Sequence, residues 1–224
     1  MDRKNFKYFD VIMAVFVAVL LISNIASTKI LVFWKFTFDG GTLLFPLSYI
    51  FGDILTEVYG YKRSRKVIWT GFFCAGLMSL VLFVVNILPP ASDWPYQEAF
   101  NNILGLAPRI VLASLIAYFA GEFSNSYILA KIKIWMAGKK LWIRTILSTL
   151  VGELVDTSFF ILIAFYGTLP NELLLTIFVS NYVFKCGVEI LFTPITYRAV
   201  NFLKKNENED FYDYDTNFNP FSLK

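Results

Sequence analysis

Residues 67–88 read VIWTGFFCAGLMSLVLFVVNIL, an apolar stretch without a single charged side chain. A helix of roughly 20 apolar residues crosses the hydrocarbon core of a bilayer, so this stretch predicts a transmembrane helix. It directly follows the basic segment KRSRK at 62–66. Lys and Arg concentrate on the cytoplasmic side of membrane helices, and we therefore expect this helix to begin in the cytoplasm.

The composition of the whole chain agrees with a membrane protein. Of its 224 residues, 57% are hydrophobic and only 17% are charged, which is too apolar for a soluble domain of this length. Five further apolar stretches occur, and together the six predict an all-α integral membrane protein with six transmembrane helices. The predicted spans cover residues 8–33, 42–59, 67–88, 110–129, 145–166 and 173–200.

The distribution of basic residues predicts the orientation. They concentrate at the amino terminus, between spans two and three, between spans four and five, and after span six. We therefore expect both termini to be cytoplasmic and the protein to lie in the cell (inner, or cytoplasmic) membrane. Residues 1–203 form the predicted transmembrane domain, whereas 204–224 are rich in Asn, Glu and Asp and predict a disordered acidic tail.

Several kinds of site have no basis in the sequence. The chain contains no histidine, its cysteines Cys74 and Cys186 lie within apolar stretches, and no CxxC or Cys/His metal spacing occurs. We therefore expect neither a bound metal nor a cofactor. The net charge of +3 comes from basic residues at helix ends, where they set orientation, and this argues against nucleic-acid binding.

Four predicted spans carry an acidic side chain deep in the apolar stretch. Asp53, Glu122, Glu153 and Glu189 each lie nine residues from a basic residue near the cytoplasmic end of their helix. A rise of 1.5 Å per residue puts each acid roughly 13 Å from that edge, near the middle of a ~30 Å core. A charge at this depth costs at least ~2.5 kcal/mol. Four carboxylates at one level therefore predict the wall of a central cavity.

Other polar side chains lie three or four residues from these acids and share their helix faces. The acids outnumber Lys29 and Lys185, so some must be protonated, hydrated, or paired to a bound cation or a substrate donor. A purely structural network of ion pairs and hydrogen bonds is the alternative interpretation. The candidate substrate-binding residues are Asn24, Asp53, Glu57, Glu122, Asn125, Glu153, Asp156, Asn181, Lys185 and Glu189.

Several short motifs resemble those of one transporter family. They are FPLSY at 45–49, GD at 52–53, TEVYG at 56–60 and GE at 152–153, followed by Asp156 and its neighbours in the last two spans. On these residues the chain is similar to the VUT family, the queuosine precursor transporters. The resemblance implies import of 7-deazaguanine bases, such as preQ0, preQ1 or queuine, across the cytoplasmic membrane.

The candidate acids suit such a substrate chemically. A guanine-like base presents adjacent N–H donors, and one carboxylate can accept both bonds. One or two of the acids would bind this edge, and another would pair with the aminomethyl cation of preQ1. Many members of the family carry glutamine and aspartate where this chain has Glu122 and Asn125. The resemblance therefore leaves the exact base open.

Three alternative functions differ in what they require of the sequence. A substrate-binding membrane subunit would need a separate ATP-driven energising module but would bind the same ligand. An intramembrane enzyme would use paired acids, although histidine and a GxSxG nucleophile are both absent from the chain. An ion channel would have an equivalent ring of acids and not unequal acids on four helices. Proton coupling is plausible because acids are in surplus, while an energising partner and the oligomeric state stay open.

Overall fold

The chain is mainly helical in the computed structural model, which describes residues 6–26, 29–33, 36–104, 108–167 and 171–222. A short antiparallel hairpin of β1 (Ile30–Phe33) and β2 (Phe36–Asp39) follows the first helix, and a 3-10 turn (Gly40–Leu43) leads into the second. The helices are α1 (Phe9–Ala26), α2 (Phe45–Tyr59), α3 (Tyr61–Ile87), α4 (Gln97–Leu104), α5 (Pro108–Trp135), α6 (Leu141–Phe165) and α7 (Asn171–Glu207).

Four helices in the described part of the chain are long and apolar enough to cross a membrane, namely α1, α3, α6 and α7. Helix α5 has 28 residues and is also long enough, but it carries a buried polar face that includes Glu122 and Asn125. Helix α2 has 15 residues, which correspond to about 22 Å and fall short of a ~30 Å core. The prediction of a helical membrane protein is thus confirmed in its main feature.

The first predicted span is wrong at its carboxyl end, and the hairpin makes the all-α prediction incomplete. We expect a helix to residue 33, but α1 ends at Ala26 and the apolar residues that follow form β1. The N–H of Lys29 donates to the carbonyl of Ala26 at 3.1 Å, and the N–H of Gly40 donates to that of Lys29 at 2.7 Å. β-Branched and aromatic residues suit a strand as well as a helix in lipid, so hydrophobicity alone did not separate them.

Helix α2 lies at the centre of the bundle and contacts α1, α3, α5 and α7. Its side chains from Gly52 to Tyr59 are all buried. Helices α5 and α6 cross closely at two glycines: a Cβ on Gly121 would lie 3.0 Å from the carbonyl oxygen of Gly152. Small residues of this kind let two backbones approach. The crossing brings Glu122 and Glu153, the residues next to these glycines, into the same region.

One end of the bundle collects the amino terminus, the junction of α2 and α3, the loop between α5 and α6, and the end of α7. We call it the basic end. The backbone N–H groups of Lys7 and Tyr8 donate to the carboxylate of Glu207 at 2.9 and 2.7 Å. The Nζ of Lys133, near the end of α5, donates to the carbonyl of Glu57 at 2.6 Å. These contacts show that the segments share one side of the bundle.

The carboxy-terminal tail differs from the predicted disordered segment at 204–224. Residues up to Glu207 continue α7, and the tail then packs against the basic end. The N–H of Phe211 donates to the carbonyl of Val58 at 3.2 Å, and Asp213 accepts the N–H of Tyr61 at 3.0 and 3.1 Å. Aromatic side chains spaced along the tail supply apolar contacts. The prediction of disorder rested on the average composition of the tail, which is polar.

Candidate functional site

The candidate site lies inside the bundle and draws on α2, α5, α6 and α7. Each helix contributes one of the acids Asp53, Glu122, Glu153 and Glu189, and none of them is more than 1% exposed. Glu189 lies close enough to Asp53, Glu122 and Glu153 for a charge on one of these acids to affect the others. The structure therefore brings together four acids that are widely separated along the chain.

One part of the site is built around Asp53 and Asn125. The side-chain amide of Asn125 donates to Oδ1 of Asp53 at 2.7 Å. The second oxygen of Asp53, the amide oxygen of Asn125 and both oxygens of Glu122 are buried and have no hydrogen-bond partner in the described part of the chain. A buried polar atom without a partner costs about 1–3 kcal/mol. Such a group of acceptors calls for a donor from outside the protein fold, such as a ligand, a proton or water.

Gly52 makes room for Glu122. A Cβ at residue 52 would lie 3.0 Å from the carboxyl carbon of Glu122 and closer still to one of its oxygens. Any larger residue would therefore push the Glu122 carboxylate away from α2. The glycine that precedes Asp53 is thus a packing requirement of the site.

A second part of the site is organised by Lys185. Its Nζ donates to Oδ2 of Asp156 at 2.5 Å and lies 3.0 Å from Oε2 of Glu153. The ammonium group is also 4.8 Å from the centre of the Phe45 ring. Because one lysine serves two carboxylates, the trio carries a net negative charge when both acids are ionised.

The α7 and α1 candidates differ in their surroundings. Both carboxylate oxygens of Glu189 are buried without a hydrogen-bond partner among the described residues. Asn181 is half-buried one helical turn before Lys185. Asn24 is half-buried in α1, and its amide donates to the carbonyl of Leu20 at 2.9 Å. The amide of Asn24 thus bonds within its own helix, and in the described part of the chain it makes no hydrogen bond to the acids.

Glu57 lies apart from this group, at the basic end. Its carboxylate pairs with Arg144, accepts a hydrogen bond from Lys204 at 2.5 Å and lies 3.5 Å from Lys133. The spacing of four residues placed Glu57 on the same helix face as Asp53, one turn further along α2. The cations come from the ends of α5, α6 and α7. The spacing of residues along α2 could not predict these partners.

Three buried hydroxyl groups extend the set beyond the predicted residues. The hydroxyls of Tyr118, Thr149 and Thr157 have no hydrogen-bond partner in the described ranges, and each residue is at most 2% exposed. Tyr118 and Thr149 each precede one of the central acids, Glu122 and Glu153, by four residues. A search for polar residues one turn before each acid would have found both of them.

The arrangement is rich in acceptors and suits a ligand that donates hydrogen bonds. Among the described residues, no group of three or more His, Cys, Asp or Glu side chains is placed to hold a metal ion. Carboxylate, amide and hydroxyl oxygens are the free groups, and Lys185 is already engaged by two acids. A planar molecule with several N–H groups matches this pattern better than an anion does.

Comparisons with known proteins identify the family. Residues 39–199 match the model of a family described as "putative vitamin uptake transporter". This chain belongs to that family. The description is of a transporter and not of an enzyme, so the intramembrane-enzyme alternative is set aside. Together with its several long apolar helices, membership makes the chain a multi-pass membrane protein.

Its relatives carry a more specific name. The "Probable queuosine precursor transporter" of Bacillus subtilis (strain 168) is 31% identical over 83% of this chain and 81% of that protein. The "Queuosine precursor transporter" of Escherichia coli (strain K12) is 25% identical over 68% of this chain and 67% of that protein. No solved structure matches the chain. The suspected resemblance to the queuosine precursor transporters is thus confirmed.

Proposed function

We propose that this protein imports queuosine precursors, 7-deazaguanine bases such as preQ0, preQ1 or queuine, across the cytoplasmic membrane. The names of its relatives support this class of substrate. The observation that carries the proposal is a group of buried acceptors on Asp53, Glu122, Asn125 and Glu189 that have no hydrogen-bond partner among the described residues. A guanine-like base offers the N–H donors that such acceptors need.

The proposed binding mode assigns different tasks to the two parts of the site. Asp53 or Glu122 accepts the adjacent N–H groups of the base in a bidentate contact. Asn125, oriented by its bond to Asp53, offers its amide oxygen to a further N–H. Lys185 lies between Glu153 and Asp156, and the net negative charge that this trio carries when both acids are ionised would attract a cationic substituent on the base. Surplus acids of this kind also allow proton coupling.

We further propose six membrane crossings with both termini in the cytoplasm. Helices α1, α3, α6 and α7 have the length and apolar character of spans. Helix α5 would form a fifth span with its polar face toward the site. Helix α2 and the 3-10 turn before it would form the sixth, because together they extend over ~30 Å. The basic end would face the cytoplasm by the positive-inside rule.

Uptake by the purified protein in liposomes tests the proposal. Labelled preQ0, preQ1 and queuine are offered separately, with and without an imposed proton gradient. We expect saturable uptake of at least one base, and a loss of about 10-fold or more in Asp53→Asn, since a hydrogen bond to a charged group contributes ~1.5–3 kcal/mol. Glu153→Gln should also lower uptake. Glu98→Gln, a change of an exposed acid on α4, is the matched control and should transport normally.

Each result of this experiment has a distinct meaning. Tight binding without uptake would indicate the alternative of a binding subunit that needs an ATP-driven module. Normal uptake by both Asp53→Asn and Glu153→Gln would rule out the proposed site while keeping the substrate class. If the protein neither binds nor takes up any of the three bases, the proposed function is refuted.

A further inference from the structure

A cavity of about 630 Å³ lies on the outside of the bundle at the basic end. It is bounded by the first three turns of α3 on one side and by the tail on the other. Lys62, Arg63, Lys66, Trp69, Phe73 and Phe211 contribute to its lining. Of the described residues that line it, four are basic and none is acidic. The cavity therefore has a strongly positive wall.

Two of the cations that line this cavity, Lys62 and Lys66, are exposed and are available to a ligand. Neither has a carboxylate partner within the described residues. Arg63 donates one hydrogen bond, from Nη1 to the carbonyl of Tyr59 at 2.9 Å. Its guanidinium also lies 4.6 Å from the centre of the Phe6 ring, which holds it in place. Within the described ranges the other donors of this guanidinium have no hydrogen-bond partner and are available to a ligand.

Other cations of the basic end are compensated. Lys133, Arg144 and Lys204 surround the carboxylate of Glu57, and Lys133 and Lys204 also contact Asp210 at 2.5 and 2.9 Å. Partial burial opposes ionisation of Asp210, but the hydrogen bonds from the two lysines outweigh it and lower the pKa of this carboxyl. Lys62 and Lys66 thus differ from these cations, because they have no carboxylate partner among the residues that the structure describes.

The residues of α3 that line the cavity form one stripe that changes from basic to apolar. Lys62, Lys66 and Phe73 are four and seven residues apart, so they share a helix face. Phe73 is 68% exposed, and the same face continues with Leu77 at 49% and Leu80 at 59%. A cationic pocket that leads directly onto an exposed apolar helix face is complementary to a lipid, with the headgroup in the pocket and the acyl chain along the helix.

We propose that this cavity binds one anionic phospholipid. Lys62, Lys66 and Arg63 contact the phosphate, and an acyl chain lies along Phe73. The charge of the pocket selects an anionic headgroup over a zwitterionic one, because each basic side chain near a membrane surface favours anionic lipid. A soluble phosphate would satisfy the same cations but would leave the apolar stripe unused.

Native mass spectrometry of the full chain in micelles tests this inference. Phosphatidylglycerol and phosphatidylcholine with identical acyl chains are titrated separately, and the lipid that stays bound is counted. We expect one phosphatidylglycerol to be retained in preference to phosphatidylcholine. The double variant Lys62→Gln/Lys66→Gln should weaken its binding by ~30-fold, from about 5-fold per basic residue. The charge-conserving double variant Lys62→Arg/Lys66→Arg should bind phosphatidylglycerol as the natural chain does.

Two matched controls separate a site from general surface charge. Lys139→Gln/Lys140→Gln removes two exposed lysines from the loop between α5 and α6 and should leave the retained lipid in place. Phe73→Ala should weaken retention, whereas Phe83→Ala, 54% exposed further along α3, should not. Equal retention of the two lipids, or equal loss in both lysine double variants, would overturn the proposal. Displacement by millimolar inorganic phosphate would also overturn it, in favour of a soluble anion site.

Discussion

Two groups of buried acids in this protein differ in their partners. Glu57 has three cations around it, and Glu153 and Asp156 share Lys185. The carboxylates of Glu122 and Glu189, in contrast, have no hydrogen-bond partner among the described residues. A paired carboxylate has its desolvation cost offset by its partner, whereas an unpartnered carboxylate raises the free energy of the fold unless something binds to it. A ligand that donates hydrogen bonds would therefore stabilise the second group most.

The Lys185 trio yields a prediction on charge balance. Lys185→Met should destabilise the protein strongly, because removal of one partner of a buried ion pair costs ~3–5 kcal/mol. Asp156→Asn should be destabilising in the natural chain but stabilising in the Lys185→Met background, since it then removes an uncompensated charge. Thermal unfolding in detergent measures both effects. Lys139→Met, which changes an exposed lysine, is the control. Strictly additive effects would show that the two side chains are not coupled.

At the scale of single elements, the glycine pair of α5 and α6 holds the two halves of the site at a fixed separation. A Cβ on Gly152 would lie 2.8 Å from the Cβ of Asn125 and 3.1 Å from the carbonyl oxygen of Gly121. These atoms belong to or adjoin the backbone and cannot rotate away. An added methyl group must therefore separate the helices and shift Asn125 relative to Asp53.

We expect Gly152→Ala to lower both stability and ligand binding. Overpacking of this kind costs about 1–3 kcal/mol. Gly76→Ala on α3 is the matched control, because among the described residues no atom beyond the adjacent backbone of its own helix lies within 4 Å of the added methyl group. This control should be neutral or slightly stabilising, since alanine favours a helix interior over glycine. Unfolding temperature and binding of the transported base report the difference. The same behaviour of both variants would contradict the close crossing of α5 and α6.

The tail also acts on a single element, the amino terminus of α3. Gly60 precedes this helix and has no side chain to cap it, and Asp213 accepts the N–H of Tyr61 in its place. Loss of a capping side chain costs about 0.5–2 kcal/mol. Asp213→Ala should therefore lower the unfolding temperature and make the tail more sensitive to trypsin. Asp215→Ala removes the same charge from an exposed position and should do neither. Equal protease sensitivity of the two variants would argue that the tail is not anchored at Asp213.

For the whole molecule, the sequence predicted the elements better than their partners. Length and apolarity located the helices, because a helix that crosses the bilayer needs a minimum number of apolar residues and such a stretch is visible in the local sequence. They failed at Ile30–Phe33, where an apolar segment forms a strand. The depth argument named Asp53 and Glu122, which the structure brings together. The spacing argument added Glu57, whose cations come from three distant helix ends. Ion-pair partners depend on tertiary contacts, and a single sequence does not contain them in local form.

The last prediction concerns the path of the whole chain. Residues near Tyr8, Gly60, Lys133 and Lys204 all lie at the basic end, so the backbone leaves this end and returns to it three times. The number of crossings is then even whether or not α2 alone spans the core. Cytoplasmic placement of this end requires that Lys139 be inside and that Asp93, beyond the far end of α3, be outside.

Cysteine labelling checks this placement. In a chain with Cys74→Ala and Cys186→Ala, Asp93→Cys should react with an impermeant maleimide in intact cells, because residue 93 is exposed. Lys139→Cys, equally exposed, should react only after the membrane is opened. Reaction of Lys139→Cys in intact cells would place the basic end outside. The Glu57 ion-pair group would then face the side from which substrate arrives. Substrate would enter the bundle at the basic end and leave it at the opposite end.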